Sequence, residues 1–284
     1  MEYLLQITSN IIVLGSLYAL LALGFNFLYS ANKFFDLSYA SYLILGTYSY
    51  LALSKIHLPI VITLILSLAI TVLFSFLIEN FLYRNLRHKK SSGSVMMISS
   101  LGILTVMQAV AALIFTSNVQ TLSVSSSTLM IFGVAITYVQ IMTIIFALSF
   151  YIFTYVFLKN SSFGIQLRAV ADNEELAISS QLPIKKVRLI ATCVSVIIGA
   201  TAAILYAMDT SLDPYVGMNL LLKGIIVAIL GGLGNFMYGL IGAFILAILE
   251  NLSIWYIGGE WKDAIAFLVL IVILLFRPTG LLKK

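Results

Sequence analysis

The sequence predicts an all-α protein, a polytopic transmembrane helix bundle of about eight or nine spans. Of its 284 residues, 61% are hydrophobic and 10% are charged, and its mean hydropathy is +1.09. A soluble domain carries about 25% charged residues, so most of this surface must face lipid. A spanning helix takes about 20 apolar residues and pairs its backbone groups internally. We therefore expect one membrane domain over residues 1–284, without a removable signal peptide or a separate soluble domain.

Nine apolar stretches are predicted to span the membrane. The second is irregular because aromatic, acidic and hydroxyl residues mix at 35–41, and the seventh because it ends in a glycine cluster. Irregular backbone at membrane depth is tolerated where it is buried in protein or lines a cavity, so discontinuous or re-entrant helices are expected at both places. The predicted spans are 7–29, 35–53, 58–82, 95–116, 130–158, 188–209, 218–232, 235–256 and 263–277.

Basic residues collect on one side when nine spans are threaded alternately through the membrane. Of the 16 lysines and arginines, only Lys55, Lys223 and Lys262 fall on the other side. Cytoplasmic loops carry the excess of these residues. The pattern therefore predicts an outside N-terminus and a cytoplasmic C-terminus, and it explains the pI of about 9.2 without a nucleic-acid partner. The residues assigned to the cytoplasmic side are Lys33, Arg84, Arg87, Lys89, Lys90, Lys159, Arg168, Lys185, Lys186, Arg188, Arg277, Lys283 and Lys284.

The 159–187 loop is the only long polar stretch in the sequence, and it falls on the cytoplasmic side. Asp172 followed by Glu175 is a capping-box pattern, which predicts a short amphipathic helix over Asn173–Ser180. Pro183 then stops its simple extension. We expect this loop to present a compact helix on the cytoplasmic face.

Residues suited to catalysis or metal binding are scarce. Cys193 is the only cysteine and lies in an apolar run, while His57 and His88 are predicted on opposite sides of the membrane. No metalloprotease, nucleophile-elbow or phosphate-loop motif is present. The sequence therefore predicts a non-catalytic protein without metal or cofactor, and any nucleotide hydrolysis would belong to a partner chain.

Three acidic residues are candidates for positions inside the membrane, where ionised groups are costly. Glu79 lies near the basic end of its span, which favours a side chain that reaches the interface. Glu250 fits a hydrogen-bonding group in the bundle and a site residue equally well. Asp36 fits a helix N-cap, and we favour a cap that also lines a solute pathway.

The irregular segments predict the pathway. Gly231, Gly232 and Gly234 break a helix, which indicates either tight packing around a turn or part-helices that meet at the pathway. Both interpretations require close packing. The residues assigned to the substrate pathway are Asp36, Tyr39, Ser41, Gly231, Gly232, Gly234 and Asn235.

Four blocks in order carry a resemblance to a known family: GSLYALLALGFNFLYS, FFDLSYASYLILGTY, GIQLRAVADNEELA and AILGGLGNFMYGLIGAFILAILE, followed by the closing FRPTGLL. Together they resemble the permease subunits of bacterial ABC importers for branched-chain amino acids, a group that includes urea and amide permeases. The resemblance implies an ABC-importer permease fold in the bacterial inner membrane. It also implies cytoplasmic ABC ATPase subunits, a second permease chain, identical or paralogous, and an extracytoplasmic substrate-binding protein.

The resemblance assigns the ATPase-coupling helix to the 159–187 loop. The residues assigned to coupling are Gly164, Arg168, Ala169, Asp172, Glu175 and Ala177. The sequence departs from the family at Tyr39 and Ser41, where a histidine and a glutamate are usual, and at Gln181, where glycine is usual. The first departure puts the substrate in doubt, and the second bears on how the coupling helix ends, because glycine is the favoured left-handed cap.

Two transport alternatives stay open from the residues themselves. An ion-coupled secondary transporter usually needs carboxylates or histidines near the midplane, of which this sequence offers few. A passive channel for a small solute such as urea would need a continuous lining of donors. An intramembrane enzyme is the least favoured class, because no nucleophile and base or metal pair is visible.

Overall fold

The computed structural model describes residues 2–122, 128–131 and 133–277, and these residues are predominantly helical. Of the closing FRPTGLL motif, only Phe276 and Arg277 lie within the described residues, and Lys283 and Lys284 lie outside them. The helices are α1 (Glu2–Asn32), α2 (Ser38–Ser54), α3 (Ile60–Ile78), α4 (Arg84–His88), α5 (Gly93–Phe115), α6 (Tyr138–Asn160), α7 (Ser162–Asp172), α8 (Glu174–Ser179), α9 (Ile184–Asp209), α10 (Val216–Gly231), α11 (Phe236–Tyr256) and α12 (Lys262–Phe276). A π-helical turn, Glu79–Tyr83, joins α3 to α4, and a 3₁₀ turn, Gly259–Trp261, precedes α12.

Six helical segments are long and apolar enough to cross a membrane: α1, the continuous α3–α4 segment, α5, α6, α9 and α11. The other predicted spans correspond to α2, α10 and α12, which have 17, 16 and 15 residues. At 1.5 Å per residue these three helices are about 22–26 Å long, somewhat short of a hydrocarbon core of about 30 Å. The all-helical membrane bundle is thus confirmed, with six candidate spans among the described residues.

Helix α1 lies at the centre of the bundle. Almost every side chain from Leu17 to Leu28 is buried, against α9, α10, α11 and α6. In contrast, α3, α5 and α6 expose most of their apolar side chains, which is the surface that lipid would cover. Small residues permit the close internal packing: a Cβ added to Gly46 of α2 would meet Ala200 of α9.

A β-hairpin precedes α6, and it corrects the predicted span 130–158. Strands β1 (Thr128–Ile131) and β2 (Val134–Thr137) pair antiparallel, with Thr128 opposite Thr137. Helix α6 starts only at Tyr138, because Thr137 and Gln140 form a capping box. Both residues also donate hydrogen bonds to Asp209 at the end of α9, at 3.1 and 3.2 Å. The hairpin therefore belongs to the end of the bundle where α9 terminates.

Candidate functional site

The 159–187 loop contains two short helices, α7 and α8, rather than one. Helix α8 agrees with the predicted helix within one residue at each end, but its cap is different. The side chain of Asn173 accepts hydrogen bonds from the N–H groups of Glu175 and Leu176, at 3.0 and 3.2 Å. Asp172 is instead the last residue of α7. The predicted Asp172–Glu175 capping box is therefore wrong, because α7 continues through Asp172 and leaves Asn173 as the first residue with extended backbone.

Helix α8 ends in a Schellman motif whose left-handed residue is Gln181. The N–H of Gln181 bonds to the carbonyl of Ile178, and that of Leu182 bonds to the carbonyl of Ala177. Gln181 has φ = 57°, which is the conformation that glycine adopts most easily. Gln181 therefore occupies the left-handed cap position at which the resemblance leads us to expect glycine.

Buried side chains fix the two helices against the bundle. Leu167 and Val170 of α7 and Ala177 of α8 are buried. Gly164 is required for close approach, because a Cβ at this position would overlap the backbone carbonyl of Leu158. Two residues assigned to coupling, Gly164 and Ala177, are thus structural contacts within the loop.

Arg188 ties the loop to the first helix. Its guanidinium donates to Glu174 at 2.6 Å and to the carbonyl oxygen of Ala31 at 3.2 Å. One side chain of α9 therefore links the first turn of α8 to the end of α1. A charge-assisted pair of this kind holds the relative position of the three helices.

The outer face of α7 and α8 combines charged and apolar side chains. Arg168, Asp172 and Glu175 are exposed. Exposed apolar side chains lie among them, and they are Ile165, Leu176 and Ile178. Such a patch with a charged rim is typical of a protein interface.

The inner cleft, a cavity of about 490 Å³, joins the two sets of predicted residues. It is lined by Lys33, Arg168, Ala169, Ala171, Asp172, Leu233, Gly234 and Asn235. Arg168, Ala169 and Asp172 come from the coupling set, whereas Gly234 and Asn235 come from the pathway set. The structure therefore brings α7 next to the turn between α10 and α11, which the sequence did not predict.

That turn is held by α1. The side chain of Asn26 accepts a hydrogen bond from the N–H of Gly234 at 3.0 Å and donates to the carbonyl of Asn235 at 3.5 Å. Gly232 and Gly234 have φ of 93° and 80°, and Asn235 caps α11. Asn26 was not among the predicted site residues, although an asparagine inside an apolar span signals a functional or structural role.

Gly231 supports the packing interpretation of the glycine cluster. A Cβ added to it would come within 2.5 Å of the carbonyl group of Tyr238 in the next helix. Gly242 likewise faces the carbonyl of Val227. The two helices therefore approach backbone to backbone on either side of the turn.

Asp36 lies in a buried hydrogen-bonded cluster between α1 and α2. Its Oδ1 accepts from the N–H and hydroxyl of Ser38, at 3.0 and 2.6 Å, and from the Tyr83 hydroxyl at 2.6 Å. The predicted N-cap role of Asp36 is wrong, because the N-cap of α2 is Leu37, although the Asp36 carboxylate does accept from the N–H of Ser38, the first residue of the helix. No described residue lies within hydrogen-bond distance of the buried Asp36 Oδ2.

Tyr39 and Ser41 are both fully buried in α2. The Tyr39 hydroxyl donates to the carbonyl of Leu21 at 3.1 Å, and its ring fits against Gly24 and Gly199 of α1 and α9. The hydroxyl of Ser41 has no hydrogen-bond partner among the described residues. Tyr39 therefore fills the contact between three helices, while Ser41 leaves an unused polar atom inside the bundle.

The outer ion-pair cluster, Lys223 with Glu250, Tyr18, Lys262 and Asp263, lies away from the turn, between the middle of α10, the second half of α11 and the start of α12. Glu250 is completely buried and forms an ion pair with Lys223, and it accepts from the Tyr18 hydroxyl at 2.6 Å. Asp263 contacts Lys223 at 2.8 Å and Lys262 contacts Glu250 at 3.5 Å. Glu250 is therefore a bundle residue with three partners, Tyr18, Lys223 and Lys262. Lys223 lies inside α10, within the predicted span 218–232.

Glu79 also differs from the prediction. Its side chain is buried and paired with Arg87, which donates a further hydrogen bond to Asn32 at 2.9 Å. The interpretation as an acid that reaches the interface is wrong, because the side chain is buried within the bundle and paired with Arg87.

An apolar helical bundle with buried ion pairs and a polar loop of short helices is the architecture of an integral membrane protein. Residues 7–274 match the family model described as "Branched-chain amino acid transport system / permease component". The chain therefore belongs to that family, and the resemblance to permease subunits of ABC importers is confirmed.

Named relatives cover nearly the whole chain. It is similar to the high-affinity branched-chain amino acid transport system permease protein BraD of Pseudomonas aeruginosa, with 28% identity over 100% of this chain and 96% of the relative. It is also similar to the corresponding protein LivH of Escherichia coli, with 29% identity over 99% and 96%. A chain of PsaBC from Streptococcus pneumoniae in complex with Fab shares the fold, with a TM-score of 0.57, 12% identity and coverage of 96% and 92%.

Proposed function

We propose that this chain forms the translocation pore of an ATP-driven importer for branched-chain or related small amino acids. Its partners would be a second permease chain, identical or paralogous, cytoplasmic ABC ATPase subunits and an extracytoplasmic substrate-binding protein. The names of the relatives support the substrate class. The chain itself would be a non-catalytic subunit.

The proposed topology is a single domain over 1–284 with nine crossings or part-crossings, an outside N-terminus and a cytoplasmic C-terminus. The contacts of Arg87 with Asn32 and of Arg188 with Ala31 support it, because they gather the basic residues at the end of the bundle where α1 terminates. Asp209 and the hairpin lie at the other end. By the positive-inside rule the first end would face the cytoplasm of a bacterial inner membrane.

The observation that carries the proposed mechanism is the inner cleft. An ATPase that binds the exposed face of α7 and α8 would press on Arg168 and Asp172, which line the same cleft as Gly234 and Asn235. Movement of α7 would then reach the turn between α10 and α11 directly. Nucleotide binding in the partner would bias the bundle between inward-open and outward-open states.

The unused polar atoms of Asp36 and Ser41 support a polar pathway along α2. Both atoms are buried, and each would gain a hydrogen bond from water or a solute group when helices separate. Tyr39, by contrast, would act through packing. The departure from the family at Ser41 leaves a hydroxyl on this path in place of an acid.

The test of coupling uses the reconstituted importer. We expect Arg168→Gln and Asp172→Asn to lower ATPase association or ATP-dependent uptake by about tenfold, because each removes a charged contact at the interface. Lys55→Gln, which lies between α2 and α3, is the matched control and should leave both unchanged. Wild-type association and uptake in both variants would contradict the coupling role.

The test of substrate is competition for uptake among leucine, isoleucine, valine and urea. We expect the three amino acids to compete and urea to be inert. Uptake that survives removal of ATP but follows an ion gradient would indicate a secondary transporter. Uptake that needs neither would indicate a channel.

A further inference from the structure

The basic cleft, a cavity of about 410 Å³, opens between the π-helical turn with α4 and the start of α9. It is lined by Glu79, Asn80, Arg84, Arg87, His88, Lys185, Arg188 and Leu189. It is separate from the inner cleft, with which it shares no lining residue. Neither the relatives nor the proposed transport mechanism gives it a role.

The charges in this cleft are only partly compensated. Arg87 is paired with Glu79, and Arg188 is paired with Glu174, so these two cations are neutralised within the protein. Arg84 and Lys185 form no ion pair with any carboxylate of the described residues. Both side chains are exposed at the cleft. The site therefore presents two uncompensated cations, beside His88, to an anion.

The π-helical turn lies at one wall of the cleft. Within this turn Glu79 and Tyr83 are buried, at 5% and 1% exposure, whereas Arg84, the residue that follows it, is exposed. Both Glu79 and Arg84 therefore line the cleft, Glu79 as a buried carboxylate paired with Arg87 and Arg84 as an exposed cation.

Apolar surface adjoins the cleft on its membrane side. Leu77 and Phe81, which precede Arg84 on the same continuous segment, are 42% and 72% exposed. Ile190 of α9 is also exposed beside Leu189. A ligand that satisfies this surface would carry an anionic head and apolar chains.

We propose that the basic cleft binds the phosphate headgroup of an anionic phospholipid, with Arg84 and Lys185 as the contacts and Leu77 and Phe81 along the acyl chains. A guanidinium matches phosphate oxygens in a two-pronged geometry, and basic pockets between membrane helices suit such headgroups. The assignment to the cytoplasmic leaflet depends on the proposed topology. Binding itself does not depend on the proposed transport function.

The test uses the purified full-length chain in a neutral detergent, without ATPase or substrate. Native mass spectrometry would count lipids retained from mixtures of phosphatidylglycerol and phosphatidylcholine. We expect phosphatidylglycerol to be retained preferentially, and Arg84→Gln combined with Lys185→Gln to lower that preference by about thirtyfold. Lys55→Gln, an exposed cation elsewhere, should change nothing. The melting temperature in phosphatidylcholine alone checks that the double variant is folded, which we expect because neither side chain has an ionic partner among the residues that the structure describes.

Three outcomes would overturn the proposal. Equal retention of phosphatidylglycerol by the folded double variant and the wild type would exclude the cleft as the site. Displacement of the lipid by inorganic phosphate at equal concentration would make it a free-anion site. A preference that appears only when the ATPase is added would make it a protein docking surface. Because uptake is not measured, none of these results bears on the transport proposal.

Discussion

Replacing Gln181 with glycine should stabilise helix α8. Gln181 holds φ = 57° in the Schellman motif that ends the helix. A left-handed conformation costs an L-residue roughly 1–2 kcal/mol, whereas glycine loses about 0.5–1 kcal/mol more backbone entropy on folding. The difference leaves a net gain of about 1 kcal/mol in the opening free energy of α8. That gain corresponds to about a fivefold change in the opening equilibrium.

Hydrogen exchange is the suitable assay, because α8 has six residues and its local opening would not register in a global melting curve. Amides of peptides covering 173–183 should exchange about fivefold more slowly in Gln181→Gly. Ser180→Gly is the matched control. Ser180 has φ = −82°, a conformation open to any residue, so glycine there gains nothing and exchange should become faster.

The reasoning would be refuted if Gln181→Gly exchanged at or above the wild-type rate. Such a result would mean that the glutamine side chain contributes contacts worth more than the backbone strain. Slower exchange in both variants would also refute it, because the effect would then be unrelated to the sign of φ.

Three further predictions concern buried contacts, each measured as the free energy of unfolding in detergent. Lys223→Met should cost about 3 kcal/mol, because it leaves Glu250 charged and buried, and adding Glu250→Gln should recover part of the loss; additive losses would contradict the pairing. Gly164→Ala should cost about 1–3 kcal/mol through overlap with a backbone carbonyl, whereas Gly102→Ala, with open space around it, should cost nothing; equal effects would contradict this. Asn26→Leu should lower the free energy of unfolding by about 1 kcal/mol, because the N–H of Gly234 would lose its acceptor. An unchanged free energy would show that water replaces the contact.

The positions of the helices could be predicted because hydropathy depends on local composition alone. Each of the nine predicted spans overlaps an observed helix. The predicted span 130–158 differs from the structure at its start. Residues 134–137 are apolar enough to be counted in a helix, but they pair as a strand. Strand pairing depends on a partner in the hairpin, and a window of hydropathy does not contain that information.

The helix in the 159–187 loop could also be predicted, but its cap could not. Asp172 and Asn173 are adjacent residues with equivalent acceptor side chains, and each is followed within three positions by an acidic residue. The choice between them depends on where α7 ends. Buried Leu167 and Val170 fix that end by packing on the bundle.

The ionic contacts were missed for the same reason. Lys223 and Glu250 lie 27 positions apart in different helices, and Arg87 lies 55 positions from the Asn32 side chain to which it donates. Sequence can mark a charge inside an apolar span as costly, but it cannot name the partner that removes the cost. The prediction that Glu79 reaches the interface was wrong because it rested on the position of Glu79 near the basic cluster in the sequence. That position does not show that the side chain is buried and paired with Arg87.

The two ends of the α10–α11 pair are held by contacts of different strength, and this asymmetry suggests where the bundle can move. At the inner end, hydrogen bonds of the neutral Asn26 amide hold the turn, each worth about 1 kcal/mol. At the outer end, the buried Lys223–Glu250 pair would cost about 3–5 kcal/mol to break by losing one partner. A force applied through α7 at the inner cleft would therefore displace the turn before it separated the outer ends. The outer ion-pair cluster would then act as the pivot, which is the arrangement that rocking around a fixed contact requires.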